Sequence, residues 1–290
     1  MELKRKPEWL KVKLPCGNDF KRVKGILSYF RLYSVCQEAR CPNIAECFHT
    51  GTATFLILGN TCTRNCLYCN VRHGRPDMVD ESEPERLVQA VKELGLKYIV
   101  ITSVTRDDLP DGGAEIFARC VETLCREIPE CTVEVLIPDL KGDWQSLERI
   151  MEAGPHVINH NMEIVPSLFE VLRPMGNYRI SLDLLHHVHR HNRTKIITKS
   201  GFMVGFGEDW KDILELLHSL ASVHCERITV GQYLQPTRNH WPVLKYYDPD
   251  EFEVIKGMAY EMGLKHVEAG PLVRSSYHAA KMMSGQKEVN

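Results

Sequence analysis

The sequence lacks two features that would point to a membrane or to nucleic acid. No apolar run approaches the roughly 20 residues that a membrane-spanning helix needs, so no membrane partner is expected. The 36 lysines and arginines are balanced by 38 aspartates and glutamates, which gives a formal net charge of −2. Without a basic excess, the chain as a whole carries no electrostatic footprint for nucleic acid.

A secretory signal is also lacking. The first eight residues, MELKRKPE, contain no apolar core, and their glutamates and lack of serine differ from an organellar presequence. The cysteine count of 11 is odd, which disfavours a secreted disulfide framework. We therefore expect a cytoplasmic protein whose thiols are reduced and available to metal.

Short apolar runs rich in β-branched residues alternate with amphipathic stretches from about residue 52 onward. The predicted strands are residues 54–58, 98–102, 133–137, 157–159, 196–204 and 228–232. The predicted helices include residues 84–94, 114–128, 210–223 and 249–262. Repeated strand–helix units favour an α/β fold, a partial (β/α)6 barrel of the TIM type, with an open doubly wound sheet as the alternative.

The two ends of the chain do not follow this alternation. We expect residues 1–51 to form an N-terminal extension, residues 52–269 the barrel, and residues 270–290 a C-terminal segment. Both extensions are expected to lie over the barrel mouth. The sequence shows no internal repeat and no low-complexity tract.

Six of the 11 cysteines form two triplets, Cys36-x4-Cys41-x5-Cys47 and Cys62-x3-Cys66-x2-Cys69. A structural zinc site closes with four ligands, and a protein-held iron–sulfur cube normally uses one thiolate for each of four irons. Each triplet is one ligand short. An incomplete thiolate set leaves one metal position open, where a different ligand can bind and react.

The second triplet follows the first predicted strand, at the carboxyl end where barrel active sites form. With Tyr68 before Cys69, it resembles the C-x3-C-x-aromatic-C signature of the radical S-adenosylmethionine superfamily. The resemblance implies a [4Fe–4S] cluster on Cys62, Cys66 and Cys69 whose fourth iron binds S-adenosylmethionine. Reductive cleavage would then yield a 5′-deoxyadenosyl radical that takes hydrogen from an unactivated carbon. A zinc knuckle with His73 as a distant fourth ligand is the alternative.

The first triplet is similar to the auxiliary-cluster motif of the lipoyl synthase family. Further segments resemble the same family: TSVTRDDLPDGG at 102–113, EVLIPD at 134–139, NHN at 159–161, KSG at 199–201, GFGE at 205–208, GQYLQPT at 231–237 and RSSY at 274–277. The match covers about residues 30 to 280. It implies a second [4Fe–4S] cluster on Cys36, Cys41 and Cys47, with a serine of RSSY on its fourth iron. The matching residues are Ser275 and Ser276, and we favour Ser276.

The family resemblance also implies the reaction and the partners. Two sulfur atoms would be inserted into the octanoyl chain of a protein-bound octanoyl-lysine, with the auxiliary cluster as sulfur donor and two S-adenosylmethionines used per lipoyl group. The expected partners are octanoylated lipoyl carrier domains, of the 2-oxoacid dehydrogenase E2 or glycine cleavage H protein type. An electron donor and an iron–sulfur carrier that rebuilds the spent cluster are expected as well. A biotin synthase and a non-catalytic iron–sulfur carrier are the rival functions.

Other polar residues at predicted strand ends are candidates for contacts with the cofactor or substrate. They are Thr102, Ser103, Asn161, Lys199, Gly205 and Gly207, with a tight turn as the alternative role of the two glycines.

Four closely spaced histidines could bind a metal: His186, His187, His189 and His191. They lie in a predicted amphipathic helix, so we expect them to occupy solvated helix positions.

Overall fold

The computed structural model describes residues 5–12, 17–49, 54–191, 195–277 and 279. Cys16, to which the sequence assigned no role, lies outside these residues. Among the helices of the described residues, none has the length and apolar character needed to cross a membrane.

Strands and helices alternate along most of the chain. The strands are β1 (Tyr33–Ser34), β2 (Thr54–Ile57), β3 (Thr61–Cys62), β4 (Arg72–His73), β5 (Tyr98–Ser103), β6 (Thr132–Leu136), β7 (Val157–Asn159), β8 (Ile197–Val204), β9 (Arg227–Gln232) and β10 (His266–Gly270). The α-helices are α1 (Asn18–Tyr29), α2 (Val35–Glu38), α3 (Ile44–His49), α4 (Glu83–Leu94), α5 (Ala114–Glu127), α6 (Trp144–Glu152), α7 (Pro166–Leu172), α8 (Tyr178–Arg190), α9 (Trp210–Ser222) and α10 (Pro249–Glu261). Each predicted strand and helix is confirmed, with ends shifted by one residue at most.

One main sheet carries the fold, in the order β1-β2-β5-β6-β7-β8-β9-β10. All neighbours from β2 to β10 are parallel, and β1 is antiparallel to β2. The expected partial barrel of the TIM type is confirmed. The sheet adds one parallel strand that the sequence did not indicate, β10, because only Val267 in it is buried and no apolar run marks it.

The helices begin and end where the sequence provides caps. Pro84 lies in the first turn of α4, and the helix ends at Gly95 with φ +67°. Asp209 and Asp212 form a capping box at the start of α9, and Asp248 and Glu251 form one at the start of α10. These helices therefore begin immediately after the loops that follow the strands.

Successive side chains of β6 point to opposite faces of the sheet, one face apolar and the other carrying a charged residue. Val133 and Val135 belong to the hydrophobic core between sheet and helices, while Glu134 points to the other face and is fully buried. There the Lys199 ammonium on β8 contacts both Glu134 carboxylate oxygens, at 3.0 and 3.2 Å. The barrel interior therefore contains a buried ion pair.

The two terminal segments meet in the gap between the ends of the open sheet. The side chain of Asn43 donates to the Leu272 carbonyl at 2.7 Å, and the Tyr277 hydroxyl donates to Glu46 at 3.0 Å. Thr54, at the start of β2, bonds to the Ser276 hydroxyl at 2.8 Å. The N-terminal extension and the C-terminal segment thus pack against each other beside β2. The division of the chain into three domains stays a prediction.

Candidate metal centre

The second triplet lies on the loop that follows β2. Cys62 ends β3, and its carbonyl accepts from the Gly74 amide at 2.9 Å, so the loop returns beside its own start. The Cys69 amide donates to the Cys66 carbonyl at 3.1 Å, and His240 contacts the Cys69 carbonyl through Nε2 at 3.0 Å. These hydrogen bonds hold the backbone of the loop.

Arg64, between the first two thiols of this triplet, anchors the loop to two carboxylates from distant parts of the chain. Its guanidinium donates twice to Asp107, at 2.7 and 2.9 Å, and twice to Asp139, at 2.6 and 2.7 Å. The side chains of Arg64 and Asp139 are each only 3% exposed. Bidentate pairs of this kind fix orientation as well as distance. The role of Arg64 was not predicted, because no sequence feature near this residue indicates its partners.

The thiols of this loop lie beside charged groups that the sequence did not assign. Burial raises the pKa of Cys66 and raises that of Cys69 to about 12, while the nearby Arg173 acts on Cys66 in the opposite direction. Burial also raises the pKa of Glu163, whose charge reaches both thiols. Thiols of this kind stay protonated until a cation displaces the proton, as thiolate ligation requires.

The first triplet is held against the start of β2. Cys36 and Cys41 share a hydrogen bond, which lowers the pKa of Cys36 to about 6 and raises that of Cys41. Thr54 also hydrogen-bonds to the Cys36 thiol. Burial raises the pKa of Cys47 to about 12, and the nearness of Cys36 adds to the rise. These three side chains therefore form one group of thiols, in which Cys36 is buried and Cys41 and Cys47 are partly exposed.

Ser275 and Ser276 occupy different places. Ser276 bonds to Thr54, which is itself a partner of Cys36. Ser275 instead accepts from the Asn161 side chain at 2.6 Å, just beyond the end of β7. Ser276 is thus the serine beside the first triplet, while Ser275 is turned toward the barrel interior.

Two charged side chains lie between the triplets. The charge of the partly exposed Arg274 acts on both Cys41 and Glu163, and Glu163 in turn acts on Cys66 and Cys69. Asn161 donates to the Glu163 carboxylate at 2.9 Å. Arg274 and Asn161 belong to motifs that the sequence reveals, whereas Glu163 was not predicted from the sequence. The charges of these side chains thus connect the two triplets.

Comparison with known proteins shows the family of this chain. The model of the radical SAM superfamily matches residues 56–220, and that of the N-terminal domain of lipoyl synthase matches residues 1–41. A lipoyl synthase of Roseiflexus sp. (strain RS-1) is 48% identical over 98% of this chain and 94% of its own length. One of Chloroflexus aurantiacus is 49% identical over 95% of this chain and 90% of its own. The chain belongs to the lipoyl synthase family.

Solved structures show the same fold at low sequence identity. Methylornithine synthase has a TM-score of 0.53 at 14% identity and covers 87% of this chain and 82% of its own. SuiB of Streptococcus suis bound to S-adenosylmethionine has a TM-score of 0.55 at 14% identity, over 87% of this chain and 62% of its own. As a member of the lipoyl synthase family, the chain is a radical SAM enzyme, and the family carries a [4Fe–4S] cluster and S-adenosylmethionine.

The thiol spacing fits an iron–sulfur cube better than zinc. Ligands of one tetrahedral zinc ion lie roughly 4 Å or less apart, because each zinc–sulfur bond is about 2.3 Å long. His73 lies opposite Cys62 in the β3–β4 pair, as the zinc alternative requires. Yet among the described residues no three of the cysteine or histidine ligand atoms in either triplet region fall within 4.8 Å of one another. The thiols are therefore not gathered around a single ion, and in an iron–sulfur cube each thiolate binds a different iron.

The strand ends beside the loop offer unpaired polar atoms. Among the described residues, Ser103 Oγ, His160 Nε2 and Asn161 Oδ1 are buried without a hydrogen-bond partner. Ser103 is the last residue of β5, and His160 and Asn161 directly follow β7. Buried polar atoms are rarely left unpaired, so a polar ligand such as S-adenosylmethionine fits this place. His160 was not among the residues predicted from the sequence to contact the cofactor.

The remaining candidate contacts have protein partners. Thr102 donates to the Leu136 carbonyl at 2.9 Å, and Lys199 is paired with Glu134 inside the barrel. Gly205 and Gly207 have φ of +116° and +113°, in a turn that packs against Gln232 and Leu244. Those contacts account for both glycines as turn residues. Their role at the cofactor, like that of Thr102 and Lys199, stays a prediction.

Proposed function

We propose that this chain inserts two sulfur atoms into the octanoyl chain of a protein-bound octanoyl-lysine and so forms the lipoyl group. One observation carries the proposal: the fold contains two separate thiol triplets, which the charges of Arg274 and Glu163 connect. A single electron-transfer centre would need only one such group. A reaction that both activates a carbon and supplies sulfur needs two.

Cys62, Cys66 and Cys69 are proposed to hold the cluster that binds S-adenosylmethionine. When bound, that cluster supplies the electron that cleaves the sulfonium, so that hydrogen can be taken from an unactivated carbon. The chain's own residues position it: Arg64 fixes the loop, and Arg173 places a positive charge beside Cys66. Ser103, His160 and Asn161 provide free polar atoms for the bound S-adenosylmethionine.

Cys36, Cys41, Cys47 and Ser276 are proposed to hold a second [4Fe–4S] cluster, whose sulfides are the sulfur source. An oxygen ligand on iron is weaker than a fourth thiolate, so the Ser276 position is the releasable one. The geometry supports Ser276 over Ser275, because Ser276 shares Thr54 with Cys36 while Ser275 is bonded by Asn161.

The substrate is proposed to be an octanoylated lipoyl carrier domain of the E2 or H protein type. Each of the two sulfur insertions would consume one S-adenosylmethionine. Because that chemistry consumes an electron for each cleavage and depletes sulfide, an electron donor and an iron–sulfur carrier are further proposed partners. The need for reduced thiols is in keeping with a cytoplasmic location.

The proposal is tested by anaerobic incubation of the iron-loaded protein with a reductant, S-adenosylmethionine and an octanoyl-lysyl peptide. We expect dithiolated peptide together with 5′-deoxyadenosine. In Cys41→Ala, 5′-deoxyadenosine should still form while the sulfur product is lost, since Cys41 belongs to the first triplet. Intact S-adenosylmethionine under these conditions would instead indicate a non-catalytic iron–sulfur carrier.

A matched pair of serine variants tests the ligand assignment. Ser276→Ala should lower sulfur insertion and change the spectrum of the cluster on the first triplet, while 5′-deoxyadenosine formation persists. Ser275→Ala should leave that spectrum unchanged, because its hydroxyl contacts Asn161. The opposite pattern would assign the ligand to Ser275.

A further inference from the structure

A group of metal-ligating side chains lies outside the two cysteine triplets, between helices α6 and α8. His187 lies in the last turn of α8, His191 is the residue that caps the end of this helix, and Glu148 comes from the middle of α6. Their ligand atoms all lie within 4.8 Å of one another. This corrects the expectation that the four histidines occupy solvated positions: His189 and His191 are exposed, whereas the His187 side chain is only 15% exposed.

His187 is held in place from both sides. Its ring stacks on Trp144 at 5.3 Å between centroids and 9° between planes, and on His191 at 4.2 Å and 18°. Its Nε2 atom lies 3.1 Å from a Glu148 carboxylate oxygen. The imidazole is therefore oriented by its neighbours before any metal binds.

We propose that Glu148, His187 and His191 bind one zinc ion, with the fourth position open to water. Two histidines spaced i and i+4 on a helix present both rings on one face, and two imidazoles with one carboxylate are a recurrent zinc ligand set. Stacked parallel rings do not aim their lone pairs at one point. The exposed His191 ring therefore turns out of the stack when zinc binds, while Trp144 keeps His187 in place.

This site is separate from the cysteine triplets. Each barrel helix runs antiparallel to the strands, and six residues separate the end of α8 from the start of β8. His187 and His191 thus lie toward the amino end of β8. The second triplet follows the opposite, carboxyl end of β2, and the first triplet lies against the start of β2, which β5, β6 and β7 separate from β8 in the sheet. Zinc here would link α6 to α8 and leave both cysteine sets free for iron.

The test uses the full chain with both cysteine sets loaded with iron under anaerobic conditions. The protein is equilibrated with Zn²⁺ against a competing chelator, and bound zinc and iron are measured by atomic spectroscopy. Wild type should bind one zinc more than His191→Ala. Loss of a residue that only hydrogen-bonds to a metal ligand typically weakens metal binding by roughly 10- to 100-fold. Because His191→Ala and Glu148→Gln each change a ligand itself, their affinity for zinc should fall by at least that factor. His189→Ala, on the exposed side of the same helix, is the matched control and should bind zinc as wild type does.

Zinc X-ray absorption distinguishes this site from zinc at the cysteines. Only nitrogen and oxygen ligands at about 2.0–2.2 Å are expected, whereas cysteine ligation would add sulfur at about 2.3 Å. Equal zinc content in wild type and His191→Ala, or sulfur among the atoms bound to zinc, would overturn the proposal. Unchanged iron content in the variants establishes that they keep their fold, and His191→Gln provides a second variant that preserves side-chain volume.

Discussion

Replacement of Asp139 by asparagine tests whether the Arg64 anchor stabilises the loop of the second triplet. Burial alone would raise the pKa of Asp139, but the hydrogen bonds and charge of Arg64 outweigh it and lower the pKa from 3.8 to about 2. That difference corresponds to roughly 2.5 kcal/mol of stability at neutral pH, because one pKa unit is worth about 1.4 kcal/mol. Removing one partner of a buried ion pair typically costs about 3–5 kcal/mol. In Asp139→Asn the cost should be smaller, because Arg64 remains paired with Asp107. We therefore expect a loss of about 2–4 kcal/mol.

The sign of the pH dependence follows from the lowered pKa. The stabilisation is complete above the unfolded pKa of 3.8 and is lost as the pH falls through the folded value of about 2. The difference between wild type and Asp139→Asn should therefore be full at pH 7 and shrink to roughly half at pH 3.

The assay is urea unfolding of the iron-free, reduced protein at both pH values, followed by iron retention of the loaded protein at pH 7. Asp183→Asn is the control, because Asp183 pairs with the 81% exposed Arg179 on the surface of α8. Exposed pairs of this spacing contribute only about 0.3–0.5 kcal/mol. If Asp139→Asn unfolded at the same urea concentration as Asp183→Asn, the Arg64 anchor would have no energetic role.

Two further predictions concern packing inside the barrel. Lys199→Met leaves the fully buried Glu134 carboxylate without its ammonium partner and should cost about 3–5 kcal/mol in urea unfolding, while adding Glu134→Gln should recover much of the loss. No recovery in the double variant would contradict the pairing. Gly205→Ala would place Cβ 2.2 Å from Gln232 Nε2 at a φ of +116° and should cost at least about 1–3 kcal/mol. Gly257→Ala has no atom within 4 Å and lies in helix α10, so it should stabilise the chain by up to about 1 kcal/mol; equal effects at the two glycines would refute this reasoning.

The cysteine motifs and most of the barrel could be predicted from the sequence because both are local patterns. The three thiols of each triplet lie within 12 residues of one another, and alternating apolar runs marked six of the parallel strands. The strand β10 carries no such run and pairs through its backbone with β9, so it became visible only in the sheet.

Tertiary structure decided what surrounds the thiols. Ser275 and Ser276 are adjacent and chemically identical in the sequence, yet the fold turns one toward Asn161 and the other toward Thr54. Asp139 lies 75 residues from Arg64, and Ser276 lies 222 residues from Thr54. Sequence spacing cannot indicate such pairs, because the crossover connections of a parallel sheet bring together residues that no local repeat relates.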